Sequence, residues 1–430
     1  MKAASSLDQR PAARSPIVAQ YLERTAESAA VQARAERSIP GGNSRQAGHW
    51  LPHPLTIAHA AGAHLFDVDG HRYIDLTNNF TSLVHGHGYA PITEAVTKQI
   101  ADGTAWAANN SAQLELAEAI VARLPGMDLV RFANSGTEAA NLALIIARTL
   151  TGRHKILMAR YGYHGSMMEF ESGAFDLPYP ATLTATYNDL ASFEAVLAKH
   201  GDEVAAVFLE PAMGAGGVIE ADADFLRGVQ AAARKAGALF ILDEVITLRM
   251  STGGLQAVKG IEPDLTMMGK LIGGGFPVGA VGGKAEFFKP FDPANLKAWH
   301  SGTFNANPVT MTAGTVAVRH LTAERIAAMA ALAEMLAARL AASAEKYGLP
   351  FSVNRCGSML NIFFSPATPP AALLRADQEL IGKFHIAAMN RGVFLAARGM
   401  MVLSTIMTGA LIDEVADRLD HALADLAVEQ

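Results

Sequence analysis

Cysteine and long apolar runs are nearly absent from this sequence. Its 430 residues include one cysteine, Cys356, which excludes an intrachain disulfide and fits a reducing compartment, so we expect a cytoplasmic protein. Cys356 lies in a strand-like apolar segment, which favours a core position over a nucleophile. No stretch of about 18 uncharged apolar residues occurs, so no membrane span is predicted. The basic residues Lys2, Arg10 and Arg14 precede no apolar run, which argues against a secretory signal.

A surplus of positive charge is also missing. Lysine and arginine number 35 against 41 acidic residues, a net charge of −6, which argues against a nucleic-acid-binding protein. Neither G-x-x-x-x-G-K-[ST] nor G-x-G-x-x-G occurs, so these two nucleotide fingerprints are excluded. Half of the residues are hydrophobic and 18% are charged, as in an ordered soluble chain, and the length allows two or three substructures.

Strand and helix patterns alternate through the middle of the chain. An early hairpin is predicted at 65–68 and 73–76, because Asp69-Gly70 between them is a strong turn signal. Later segments alternate between the two types, with strands predicted at 129–132, 155–158, 205–209 and 238–242 and helices at 138–149 and 225–236. This alternation predicts an α/β fold with a mostly parallel sheet.

Three domain segments follow from this pattern. We assign residues 1–84 to an N-terminal arm and part of a small domain. Residues 85–305 form the large α/β domain, and residues 306–430 form a C-terminal small domain of α+β type, which is alanine-rich and helical from Pro308 to about Tyr347.

The segment Asn134-Ser135-Gly136-Thr137-Glu138 lies between a predicted strand and a predicted helix. Small residues with free N–H groups at a helix N-terminus can bind an anion, and hydroxyl groups add donors. Simple helix capping by Ser135 or Thr137 would explain the same residues.

Two further segments carry ionisable groups beside predicted strands. Asp243-Glu244 follows a buried strand, where a carboxylate needs a partner such as a cationic ring nitrogen; a metal-binding acid or a surface pair are the alternatives. Lys270 lies between a predicted strand and Gly273-Gly274-Gly275, where burial would favour a nucleophilic amine. A solvated loop lysine is the ordinary alternative.

The order of the motifs points to one cofactor. Tyr163 in Tyr161-Gly162-Tyr163-His164-Gly165 could stack on a planar ring or simply pack in the core, and the polar turn 300–308 supplies hydroxyl groups or is a plain loop. An anion cup, an aromatic residue, an acid, a lysine and a second hydroxyl loop together are the parts that pyridoxal 5′-phosphate chemistry requires. No metal site is predicted.

With these motifs, the sequence resembles the class III aminotransferases, enzymes of fold type I that depend on pyridoxal phosphate. The resemblance runs from about Ile39 to about Ser404 and implies an α/β large domain with a smaller α+β domain. It is carried by motifs along the whole span: Asn134-Ser135-Gly136-Thr137-Glu138-Ala139, Tyr163-His164-Gly165, Glu210-Pro211, Asp243-Glu244-Val245, Gly269-Lys270 and Gly302-Thr303.

The resemblance also implies roles for single residues. Lys270 would bind the cofactor covalently and move a proton, and Asp243 would pair with the pyridine nitrogen. Tyr163 would lie on one face of the ring and Val245 on the other. The resemblance implies further cofactor contacts. Ser135, Gly136 and Thr137 would hold the phosphate, Glu210 would lie near the ring and the Asp243 region, and His164 would also bind the cofactor. Thr303 would reach the phosphate of the neighbouring subunit in a homodimer.

Two branches of the family are closest, glutamate-1-semialdehyde 2,1-aminomutases and β-amino-acid (β-phenylalanine type) aminotransferases. Tyr163 and Tyr187 are only 24 residues apart, too close for the aminomutase lid that retains an intermediate. The stretch 246–250 lacks the aminomutase's Gly-Phe-Arg form, and 398–404 resembles the arginine block of the second branch.

These features predict a transaminase that moves an amino group from a β-amino acid to a 2-oxo acid such as 2-oxoglutarate or pyruvate. Arg45 is the candidate for gripping the substrate carboxylate, Arg398 for a second carboxylate, and Met213 for a further substrate contact. Surface positions are the ordinary alternative for both arginines. An aminomutase-type isomerase and an ω-amine transaminase remain the alternative functions.

Overall fold

The computed structural model describes residues 15–170, 181–365 and 378–429. The α-helices of this part are α1 Pro16–Arg24, α2 Ala26–Ala35, α3 Ala90–Asp102, α4 Ser111–Val121, α5 Gly136–Thr151, α6 Leu190–His200, α7 Ala223–Lys235, α8 Gly254–Lys259, α9 Pro308–His320, α10 Ala323–Lys346, α11 Gln378–Asn390 and α12 Gly409–Val428. The strands are β1 Ile57–Ala61, β2 His64–Asp67, β3 Arg72–Asp75, β4 Leu129–Ala133, β5 Lys155–Ala159, β6 Thr182–Ala185, β7 Val204–Leu209, β8 Ala212–Met213, β9 Ile219–Glu220, β10 Leu239–Asp243, β11 Leu265–Gly269, β12 Gly279–Gly283, β13 Ser352–Cys356, β14 Met359–Phe363, β15 Val393–Phe394 and β16 Met400–Val402.

The chain divides into two compact units. The large unit comprises Thr81–Val84 and Tyr89–Ile326, and the small unit comprises Met1–Phe80, His85–Gly88 and Ala327–Gln430. The large unit therefore continues beyond residue 305, the predicted end of the large domain. The reason is packing, because α9 lies against α3 and α4 and belongs with them.

A seven-stranded sheet forms the centre of the large unit, in the order β4-β12-β11-β10-β7-β5-β6. Only β12 runs antiparallel to its neighbours, so the predicted α/β fold with a mostly parallel sheet is confirmed. The central strands β7, β10 and β11 are buried along their whole length. Their unbroken apolar sequences are what a parallel strand covered on both faces requires.

Helix α5 begins where the sequence supplies a cap. Ser135 has an extended backbone, and its side-chain oxygen accepts a hydrogen bond from the backbone N–H of Glu138 at 3.1 Å. The apolar face of α5 packs on the sheet, and the helix ends at Gly152, which has the left-handed φ of 68° that glycine tolerates.

The small unit contains two sheets and its own apolar core. Its first sheet has the order β1-β2-β3-β15 and includes the predicted hairpin, in which β2 and β3 pair antiparallel around a turn where Gly70 has φ 87°. The second sheet has the order β13-β14-β16. Cys356 is buried in β13, as predicted.

Helix α10 is long and apolar enough to cross a membrane by length and composition alone, which is weak evidence for a span. Ala333, Leu336 and Leu340 of this helix pack into the small unit's core instead. Arg339, which interrupts its apolar sequence, donates hydrogen bonds to Asp413 and Asp417 of α12. These contacts describe a surface helix of a folded unit, with one face in the core and one in ion pairs.

Candidate active site

The predicted site residues of the large unit gather at one edge of its sheet. Strands β4, β5, β7, β10 and β11 run in the same direction, so their carboxyl ends share that edge. The residues that follow these ends are Ser135 to Thr137 after β4, Tyr163 and His164 after β5, Glu210 after β7, Asp243 at the end of β10 and Lys270 after β11. Open α/β sheets bind their ligands at this edge.

The N-terminus of α5 forms a cradle of small residues. Gly136 and Thr137 occupy its first turn, where backbone N–H groups have no partner within the helix. The Thr137 hydroxyl accepts a hydrogen bond from the Ser166 N–H at 3.1 Å. At Gly165, φ is 111° and an added Cβ would lie 2.8 Å from the Thr137 Cα, so only glycine allows this close approach.

The opposite wall of the cradle also depends on a glycine. A Cβ on Gly279 of β12 would overlap the Ser135 carbonyl oxygen, so β12 passes directly against the start of α5. The Glu138 side chain accepts from the Asn134 N–H at 2.8 Å, which closes the cap on the other side. The N–H groups of Gly136 and Thr137, at the start of α5, are placed to donate to an anion.

Asp243 is buried at 4% exposure and has two partners. One carboxylate oxygen lies 2.8 Å from His164 Nδ1, and the other accepts a hydrogen bond from the Val245 N–H at 3.0 Å. The His164 ring is itself buried between Phe170 and Phe208. These contacts orient the carboxylate and give it a polar neighbour, which a buried charge requires.

Glu210 connects two loops at the sheet edge. One carboxylate oxygen accepts from the Tyr163 N–H at 2.9 Å and the other from the Gly214 N–H at 3.0 Å. Burial raises the pKa of Glu210, and the charge of nearby Asp243 raises it further. Glu210 therefore holds the backbone of Tyr163, whose own ring is 51% exposed and whose hydroxyl lies 3.2 Å from the Ser166 hydroxyl.

Lys270 has a left-handed backbone with φ 50°, which is unusual for a residue with a side chain. It begins a 3-10 turn, Lys270–Gly273, directly after β11, and its side chain is partly buried. Asp243 lies beside Met267 in the parallel pairing of β10 and β11. Lys270 comes three residues after Met267 in the chain. Strained positions of this kind are frequent at functional sites.

The loop with Thr303 is anchored close to the same cradle. Asn305 accepts a hydrogen bond from the Asn134 side chain at 2.7 Å, and Arg131 of β4 donates to His300 Nδ1 at 3.0 Å. Thr303 itself is exposed, between the anchored positions 300 and 305.

Glu244 and Met213 are both fully buried. Glu244 accepts from the Leu255 and Gln256 N–H groups at the start of α8, and burial raises its pKa to about 7. The second acid of the Asp243-Glu244 pair thus accepts hydrogen bonds from the first turn of α8. Met213 is fully buried in the ribbon β8–β9, and its contact with substrate stays a prediction.

The small unit brings the two candidate substrate arginines to one aromatic ring. The guanidinium carbon of Arg45 lies 5.5 Å from the centroid of Phe80, and that of Arg398 lies 5.6 Å from it. The two guanidinium groups are consequently no more than about 11 Å apart. Sequence reasoning missed Phe80, although Asn78-Asn79 before it signals the left-handed turn in which it lies.

The family model for class III aminotransferases matches residues 46–423. The chain belongs to the class III aminotransferase family. This transaminase is 38% identical over 424 residues to glutamate-1-semialdehyde 2,1-aminomutase of Heliobacterium modesticaldum, covering 93% of this chain and 97% of the relative. It is 39% identical over 385 residues to beta-phenylalanine transaminase of Variovorax paradoxus, covering 88% of each chain.

A solved structure supports the same fold. The omega-transaminase of Sphaerobacter thermophilus superposes with a TM-score of 0.89 at 37% identity, covering 93% of this chain and 97% of that one. The predicted fold type I is therefore confirmed, and this class III aminotransferase is a pyridoxal-phosphate-dependent enzyme.

The residues at the sheet edge fit this cofactor. The start of α5 would take an anionic phosphate, since the N–H groups of its first turn have no partner within the helix. Asp243 would hold a positively charged ring nitrogen, because its buried carboxylate is oriented by His164 and Val245. When bound, pyridoxal phosphate supplies an electron sink for breaking a bond at the amine-bearing carbon.

Proposed function

We propose that this transaminase moves the amino group of a β-amino acid to a 2-oxo acid such as 2-oxoglutarate or pyruvate. The observation that carries the proposal is the pair Arg45 and Arg398 at one ring, Phe80. Guanidinium groups bind carboxylates bidentately. Two of them can hold both ends of a dicarboxylate, and one of them can hold a monocarboxylate that binds at a different stage of the reaction. The likeness to a beta-phenylalanine transaminase supports the same donor class.

Each residue of the large unit then has a task. Lys270 would bind the cofactor through its side-chain amine and would move the proton at the donor carbon. Asp243 would pair with the ring nitrogen of the cofactor, and Tyr163 and Val245 would contact its ring. Ser135, Gly136 and Thr137 would hold its phosphate.

The remaining assigned residues support this core. His164 and Glu210 position Asp243 and Tyr163 through the hydrogen bonds described above. Arg45 grips the carboxylate of the donor, and Arg398 grips the second carboxylate of a dicarboxylic acceptor. Met213 is proposed to contribute a wall behind the substrate.

A donor panel with 2-oxoglutarate and pyruvate tests the proposal. We expect glutamate or alanine to form from β-amino acids, one for each oxo acid released. Formation of product only from amines without a carboxylate would mean an ω-amine transaminase. Turnover of one substrate with no acceptor would mean an isomerase. The short segment between Tyr163 and Tyr187, from which a missing aminomutase lid was predicted, includes residues 171–180, which lie outside the described residues.

We also propose a homodimer with shared active sites, in which Thr303 reaches the phosphate held by the second copy. Two large apolar side chains beside Thr303 support it, since Trp299 is 77% exposed and Phe304 is 60% exposed. Exposed aromatic residues of this size are typical of a surface that another chain covers. A cytoplasmic location is proposed with it, as the single buried cysteine fits a reducing compartment.

Sedimentation of the holoenzyme tests the dimer. The expected mass is twice that of one chain, and Phe304→Asp is expected to shift it toward one chain and to weaken cofactor binding. Leu296→Asp, at an exposed apolar position of the same unit, is the comparison variant. Full activity of a species with the mass of a single chain would contradict the shared site.

A further inference from the structure

The small unit holds one aromatic ring at an unusual turn. Asn78, Asn79, Phe80 and Thr81 follow one another with positive φ angles of 45°, 49°, 53° and 79°. The run is costly at Phe80 and Thr81, because left-handed backbone is unfavourable for bulky and β-branched residues, whereas glycine and asparagine tolerate it. Strain of this kind persists only where the surrounding contacts impose it.

Asp75 imposes the beginning of this turn. Its buried Oδ1 accepts hydrogen bonds from the Thr77 N–H at 2.7 Å, the Thr77 hydroxyl at 2.7 Å and the Asn78 N–H at 3.0 Å. Its other oxygen lies 2.7 Å from His87 Nε2. The carboxylate thereby fixes the backbone of Thr77 and Asn78, the residues at the start of the turn that carries Phe80.

A second hydrogen bond ties the turn to the strand that follows Arg398. The Asn78 side-chain amide donates to the Val402 carbonyl of β16 at 2.7 Å. Arg398 lies two residues before β16 and donates to the Met400 sulfur at 3.0 Å. The ring of Phe80 and the backbone that carries Arg398 are thus fixed in one arrangement.

The loop of Arg45 is also folded on itself. The Asn43 side chain accepts from the Arg45 N–H at 2.8 Å and donates to the Gly48 carbonyl at 3.1 Å. Both guanidinium groups then lie over the Phe80 ring, the 5.5 Å and 5.6 Å distances being within the range of a cation–π interaction. The ring restricts two long side chains that would otherwise lose much rotamer freedom on binding a ligand.

We propose that Phe80 is a positioning residue that prepares Arg45 and Arg398 together for a dicarboxylic oxo acid. This rests on the proposed function and adds the residue that sets acceptor preference. Two like charges beside one ring repel each other, and a ligand with two carboxylates neutralises both. A monocarboxylic acceptor such as pyruvate uses one arginine and gains less from the arrangement.

The test compares two acceptors in one enzyme. In Phe80→Leu, which keeps apolar bulk but has no π face, KM for 2-oxoglutarate is expected to rise about 5- to 30-fold, the range of one or two cation–π contacts. KM for pyruvate and kcat with either acceptor change much less. Phe80→Tyr, which keeps the ring, is expected to restore the preference.

A graded series separates the ring's charge distribution from its shape. Replacing Phe80 with mono-, di- and trifluorophenylalanine weakens cation–π attraction with little change of volume, so KM for 2-oxoglutarate should rise step by step. This series applies even where Phe80→Leu fails to fold. Visible absorbance of the bound cofactor and the melting temperature check each variant.

The outcomes separate this proposal from the one on which it rests. A wild-type enzyme that transaminates neither acceptor defeats the proposed function itself. The role of Phe80 alone is overturned if the wild-type enzyme transaminates both acceptors but KM for 2-oxoglutarate does not change along the fluorination series. An equal rise of KM for both acceptors in Phe80→Leu would overturn it as well.

Discussion

Replacing Lys270 with alanine is expected to abolish transamination and to remove the visible absorbance of the lysine-bound cofactor. If Lys270 has the roles proposed for it, the variant loses both the amine that would bond the cofactor and the group that would move the proton. A general base alone contributes about 10²–10⁴-fold to a rate, so turnover should fall at least about 10³-fold. The left-handed backbone at this position is no more strained with alanine than with lysine, so the fold should persist.

Absorbance spectra and oxo-acid release measured on the same preparation check this prediction. Lys284→Ala is the matched control, because Lys284 is an exposed lysine just after β12. It should retain the spectrum and the rate. A normal spectrum in Lys270→Ala would end the assignment of this residue.

The second large effect is expected for Asp243→Asn. The neutral amide cannot stabilise the proton on the ring nitrogen, and removing one such electrostatic partner costs about 10²–10³-fold in kcat. The fold should remain, because the asparagine oxygen can still accept from the Val245 N–H and its NH₂ group can face His164.

Asp264→Asn is the control for this variant. Asp264 also accepts a strand N–H, that of Phe240 at 2.8 Å, but it precedes β11 and so lies at the opposite edge of the sheet. Steady-state rates and melting temperatures of both variants make the comparison. Near-normal activity of Asp243→Asn would contradict its pairing with the cofactor.

Much of the large unit could be predicted from the sequence because its strands are simple. Segments such as 205–209 are apolar at every position, which a parallel strand covered on both faces requires, and the structure buries β7 completely. Parallel strands also explain the site, since their carboxyl ends lie at one edge whatever the details of the loops. The predicted positions of Asp243 and Lys270 needed only that rule.

The small unit was harder to predict because its key contacts join distant parts of the chain. Arg45, Phe80 and Arg398 are far apart in sequence and meet only in the tertiary structure, which no local pattern predicts. Asn78-Asn79 favours a left-handed turn locally, but the place of this turn depends on the contacts of Asn78 with Asp75 and Val402. Sequence patterns likewise did not show that α9 belongs to the large unit, because that depends on its packing with α3 and α4.

In the proposed transamination, the amino group leaves one substrate and enters another. The most direct test mixes holoenzyme with a β-amino acid and no acceptor. The predicted result is one oxo acid released per active site with loss of the visible band, which 2-oxoglutarate then restores with release of one glutamate. Continued conversion of the single substrate without any acceptor would contradict transamination.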